Sequence, residues 1–197
     1  MVQTVEAVLA GRRIRDSRGR LVSCEGMVIG YDICGYPFGR LKVTGTPEDQ
    51  AECDRVRAIS RDIDLINCLA GVYAEAAYTR RPLGACALAG GGGDMSDFSK
   101  LLHAWDLGDK ECWTVSRAAE NRAAALVRSP QGSAAIKAVA DTLLLRGSIP
   151  GERVASLCRK AYGGRQCTFG AWMDHWPPTL DQIRAGHIPE RRAKVAG

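Results

Sequence analysis

After Gly45 the apolar residues of this chain fall at three- and four-residue spacings, the period of helices with one buried face. Before it, β-branched and aromatic residues are interrupted by glycines. The longest periodic stretch carries Val56, Ile59, Ile63, Ile66, Leu69, Ala70 and Tyr73, and predicts a central buried helix to about Tyr78, broken once near Ser60. Its start is marked by Thr46-Pro47-Glu48-Asp49. Thr46 offers a capping oxygen, Pro47 has no N–H to leave unpaired in the first turn, and the two acids face the positive end of the helix dipole.

Pro82 and the glycines Gly90 to Gly93 read as a flexible connection, after which Ser96 or Asp94 is expected to cap a helix carrying Phe98, Leu101, Leu102 and Trp105. Two further helices are predicted over residues 109 to 128 and 131 to 146. A last one carries Val154, Leu157 and Cys158 and ends at Gly163-Gly164. At the other end, Val5, Val8 and Leu9 share a helical spacing with Gly11 as the stop, so residues 4 to 10 are expected to be the last turns of a helix.

From Leu21 to about Val43, glycines at 26, 30, 35, 39 and 45 suit short strands joined by turns. The expected fold class is therefore mainly α with a small N-terminal β-sheet (α+β), the sheet lying at about residues 20–45. Residues 1–163 are read as one helical domain and 164–197 as a C-terminal tail. The tail holds Trp172, Trp176, Pro177, Pro178 and His187, without helical periodicity except around Leu180 to Ala185.

Composition narrows the class. A chain of 197 residues with 46% hydrophobic and 25% charged residues has the balance of a globular domain. No apolar run is long enough to cross a bilayer, and the first residues lack the basic region and cleavage site of a signal peptide, so no membrane association is expected. Eight cysteines without a CxxC pair, several inside apolar helical patterns, read as reduced buried thiols and point to the cytoplasm.

The net charge of +5 is concentrated in Arg12, Arg13, Arg15, Arg18 and Arg20, around a turn suggested by Asp16, Ser17 and Gly19. Such a loop is a candidate contact for nucleic-acid phosphates or an acidic partner. With no interleaved aromatic residues it also reads as a solvated basic loop.

Candidate chemistry is sparse. The glycine run is not followed by Lys-Ser/Thr, so it is no phosphate loop and is read as a hinge, and there is no GxSxG nucleophile elbow. His103, His175 and His187 have no HxxxH or HxxE spacing among them.

Three segments nevertheless carry a resemblance. They are Leu69-Ala70-Gly71-Val72-Tyr73-Ala74-Glu75-Ala76, the glycines followed by Met95-Ser96-Asp97-Phe98, and the stretch from Ala134 to Val154 with Leu143-Leu144-Leu145-x-Gly147-x-Ile149-x-Gly151-Glu152. In order and spacing they resemble the zinc metallopeptidase domain of the FtsH-type AAA+ proteases and the stand-alone relatives found in bacterial and prophage genomes.

The resemblance implies a zincin-like helical peptidase domain whose third zinc ligand is Asp97, with Asp94 as the fallback. The HExxH helix that would supply two histidines and the water-activating glutamate is missing. On the family's register Gln3 stands at the second histidine, and the first histidine and the glutamate precede Met1. Glutamine is a poor zinc ligand, and Glu6 has no histidines beside it. Asp94 and Asp97 also serve as helix N-terminal acids whatever their ancestry.

The leading expectation is a catalytically inactive relative that binds or regulates a protein partner, with no catalytic residues and no cofactor, and the resemblance to prophage proteins is compatible with a phage association. One alternative is a zinc metallopeptidase whose HExxH lies upstream of this start, in which case zinc is the cofactor. The other is nucleic-acid binding through Arg12 to Arg20 and the basic C-terminus. Oligomeric state is not legible in the sequence.

Overall fold

The computed structural model describes residues 2–8, 13–15, 21–23, 27–32, 45–89, 91–105, 107–163 and 179–186, with side chains from residue 45 onwards. It is mainly helical. In chain order the elements are strands β1 (Val2–Val8), β2 (Arg13–Arg15), β3 (Leu21–Ser23) and β4 (Met27–Asp32), then helices α1 (Pro47–Thr79), α2 (Leu83–Ala89), α3 (Gly92–Ala104), α4 (Asp109–Arg128) and α5 (Pro130–Arg146). Strand β5 (Ser148–Pro150) and helices α6 (Gly151–Ala161) and α7 (Leu180–Arg184) follow. Two compact units result, one of Met1–Gly35 with Pro130–Gln166, the other of Tyr36–Ser129 with Cys167–Gly197.

In the first unit β1 is the central strand of a three-stranded sheet ordered β4-β1-β5, antiparallel to both neighbours. The helix expected over residues 4 to 10 is therefore a strand. Val2, Thr4, Val5 and Val8 are β-branched, and pairing on both edges gives the backbone partners that outweigh a helical spacing resting on three residues. The register slips between Thr4 and Glu6, which leaves Val5 as a bulge.

β2 and β3 form a separate antiparallel pair. Residues 33–44 of the stretch read as a sheet lie outside the described residues, and β1 and β5 come from outside that stretch. Helices α5 and α6 pack on each other, and α6 packs on β1. Ile149 of β5, 1% exposed, is buried here together with Gly132 and Ala135 of α5.

The second unit is built on α1. Its capping box is complete: the Asp49 amide donates to Thr46 Oγ1 at 3.3 Å, and the Thr46 amide donates to Asp49 Oδ2 at 2.8 Å. The helix runs unbroken through Ser60, which is buried, so the expected break does not occur. It ends at Arg80, a non-glycine residue in the left-handed region at φ 57°.

Leu65, Ile66 and Leu69 of α1, Phe98 and Leu102 of α3, and Ala119 and Ala123 of α4 form the core. Each fully buried leucine contributes on the order of 2–3 kcal/mol, and the alanines let α4 approach α1 closely. Helix α7 packs on α4, with Ile183 buried and Thr179 completing a second capping box.

Gly91 is a packing contact where a hinge was expected, and Gly90 lies outside the described residues. Gly91 is buried, a Cβ there would stand 2.4 Å from Val72 Cγ2, and Gly92 and Gly93 already belong to α3. Helix α3 thus starts before Asp94 and Ser96, the residues expected to cap it. α2, read from the sequence as part of a connection, forms directly after Pro82, whose carbonyl accepts the amides of Ala85 and Cys86.

Candidate functional site

The residues singled out by sequence separate. Asp97 lies on the exposed side of α3, with its carboxylate accepting from Lys100 Nζ at 2.8 Å. Asp94 lies one turn earlier, and its Oδ2 would meet a Cβ on Gly71 at 3.4 Å, which is where α3 approaches the Leu69-Ala70-Gly71 segment of α1. Desolvation there, and then the Asp97 carboxylate, raise Asp94 above the ordinary carboxylate value.

Cys68 faces the same acids. Burial, then Asp94, Asp97 and Asp64, push its thiol up to about 11. This is an acidic face in which a cysteine is held neutral.

Gln3 lies on β1 opposite Tyr31. Among the described residues no group of three His, Cys, Asp or Glu side chains stands where it could hold a metal.

His103 is on α3, and its Nδ1 lies 2.7 Å from the Ser99 carbonyl. His175 and His187 lie outside the described residues, as do Arg12, Arg18 and Arg20. Arg13 and Arg15 sit on β2, paired with Ser23 and Leu21. Five cysteines, Cys53, Cys68, Cys86, Cys112 and Cys158, are free thiols, Cys86 fully buried.

The most unusual chemistry in the second unit was not singled out from the sequence. Arg57 and Arg61, one helical turn apart on α1, both stand over the ring of Trp105 at the end of α3, with guanidinium carbons 5.0 and 5.4 Å from the ring centroid. Arg57 is 2% exposed. Arg61 donates from Nε and Nη2 to Asp62 Oδ1 at 3.0 and 2.9 Å, and Arg122 of α4 donates to the other oxygen, Oδ2, at 3.1 Å.

Both oxygens of Asp62 are thus engaged. Arg57 Nε and Nη2, and Trp105 Nε1, are buried without a hydrogen-bond acceptor. A periodic signal for Arg57 did exist. Stepping back by three from Leu69 through Ile66, Ile63 and Ser60 reaches it, whereas the face drawn through Val56 and Ile59 is one residue out of phase for the first turns.

Comparison with protein-family models, with curated proteins and with solved structures returns no match for this chain. No described helix is long and apolar enough to cross a membrane.

Proposed function

We propose that this chain is a non-catalytic relative of the FtsH-type zinc peptidases that acts by binding a protein partner. The observation that supports this reading is the state of Asp97. The carboxylate at the family's third-ligand position is an exposed helix-surface group neutralised by Lys100. Protein zinc sites take three or four ligands, and a water-exposed carboxylate shared with an ammonium supplies one at most.

The segments that carry the resemblance lie on regular elements: the Leu-Ala-Gly stretch on α1, the glycine-bearing stretch at the entry to α3, and the closing stretch on α5 to α6. In the second unit, Tyr78, Leu83 and Leu88 around the turn from α1 to α2 present large apolar side chains to solvent, Tyr78 and Leu88 at 90% and 91% exposure. In the first, Leu144 and Leu145 of α5 are exposed as well. Surfaces of this kind suit protein contacts.

The test is the thermal midpoint of the full chain in excess chelator, in equimolar zinc, and for Asp97→Ala under both conditions. For each protein the midpoints in chelator and in zinc are expected to coincide, because a ligand stabilises the state it binds. A zinc-dependent rise that Asp97→Ala removes overturns the reading.

A further inference from the structure

The geometry points to a small-oxyanion site at Arg57 in the second unit, with Trp105 Nε1 as an additional donor. Among the described residues joined by these contacts, three guanidiniums, of Arg57, Arg61 and Arg122, meet one carboxylate, Asp62, an excess of two positive charges, and Asp62 is taken up by Arg61 and Arg122.

A buried guanidinium cannot shed its charge as a buried amine can, so its donors need acceptors. The Trp105 ring, its centroid 5.0 Å from the guanidinium carbon, is a π surface and supplies no oxygen acceptor. The two unpartnered nitrogens are Nε and Nη2, the edge of the guanidinium that receives both oxygens of a carboxylate or phosphate side by side.

A second buried donor without an acceptor, Trp105 Nε1, belongs to the ring over which Arg57 stands. Two orphaned donors from different helical elements, in a cluster of excess positive charge, are the complement of an anion. Its size follows from the burial. A guanidinium 2% exposed is beyond the reach of a macromolecular surface, so the anion it fits is a small one, a phosphate or a small carboxylate. This inference is independent of whether the chain has lost its metal, since none of these residues stands at a zinc-ligand position.

The experiment is calorimetric titration of the full chain with inorganic phosphate and, separately, with acetate, each against chloride at equal ionic strength. It is repeated for Arg57→Met, Arg57→Lys and Trp105→Phe. Saturable binding of one or both oxyanions is expected, and the arm that binds distinguishes phosphoryl from carboxyl recognition.

Arg57→Met should weaken binding about tenfold to a hundredfold, the worth of a charged hydrogen-bond pair. Arg57→Lys keeps the charge but not the fork and should also weaken it. Trp105→Phe keeps the ring, removes Nε1 and should lose several-fold. If Arg57→Met does not fold, the lysine and phenylalanine variants carry the test together with the indole Nε1–H resonance of Trp105, which should shift on addition of the anion that binds. Absence of binding by the unaltered chain, or binding unchanged in the Arg57 variants, overturns the site.

Discussion

Replacing Gly91 by alanine tests whether the glycine run is a hinge or a packing contact. The backbone there, at φ −81° and ψ 7°, is open to any residue, so the substitution meets no conformational barrier. The obstacle is steric. The new methyl would stand 2.4 Å from Val72 Cγ2 and 3.3 Å from the Ala87 Cα, and Val72, at 2% exposure, has no free side on which to move.

Overpacking of this kind costs about 1–3 kcal/mol. The smaller entropy of the unfolded alanine chain returns about 0.4–1 kcal/mol. A 2.4 Å approach belongs at the upper end of that range, so the net loss expected is about 2–2.6 kcal/mol. Val72→Ala alone is expected to destabilise by about 1–3 kcal/mol through lost burial.

In the double variant the alanine methyl occupies space the valine vacates. The two effects should therefore fall short of additivity by about 1–2 kcal/mol. Urea unfolding of the four proteins, with the slope checked for constancy, measures this. A neutral or stabilising Gly91→Ala, or strictly additive effects, would refute the contact and return the glycines to a hinge.

Three further outcomes follow from local features. Arg80 holds a left-handed conformation at the end of α1, so Arg80→Gly should stabilise the chain by about 1 kcal/mol in thermal or urea unfolding. Cys68, pushed up to about 11 chiefly by burial and then by Asp94, Asp97 and Asp64, should alkylate slowly at pH 8, and Asp94→Asn with Asp97→Asn should speed it. Because its folded value lies above the unfolded one, its contribution to stability is present below the ordinary thiol value and is lost as pH rises through about 11. Asp49 is held low by the Thr46 amide and then the Thr46 hydroxyl, so the capping box stabilises above the ordinary carboxylate value and fades as pH falls through the lowered one. Amide exchange in the first turn of α1 should accelerate there, and Thr46→Ala should remove the hydroxyl's part of that pH dependence.

How far the fold could be read from the sequence varied with the reach of the signal. Helix α1 was legible because its start is local, Thr46 to Asp49, and its apolar period is long. α4 and α5 were legible to within a residue for the same reason. Strand β1 was not, since seven residues carry both a helical spacing and a β-branched composition, and only pairing with β4 and β5 decides between them. Strand β5 is three residues long and has no pattern of its own.

The candidate site divides in the same way. Asp94 and Asp97 could be placed on α3 by motif, but Lys100 at hydrogen-bond distance appears only once the helix is built. Arg57 and Trp105 are remote in sequence. Their lack of acceptors is a property of packing, so periodicity locates Arg57 on the core face without revealing what it lacks.

Native mass spectrometry of the purified full chain, after incubation with equimolar zinc and exchange into a volatile buffer, tests the proposed lack of a zinc site most directly. The expected result is a single species at the polypeptide mass of 21.2 kDa, with only weak, non-stoichiometric zinc adducts that Asp97→Ala leaves unchanged. A dominant species one zinc heavier, reverting to the bare chain in Asp97→Ala, would contradict it.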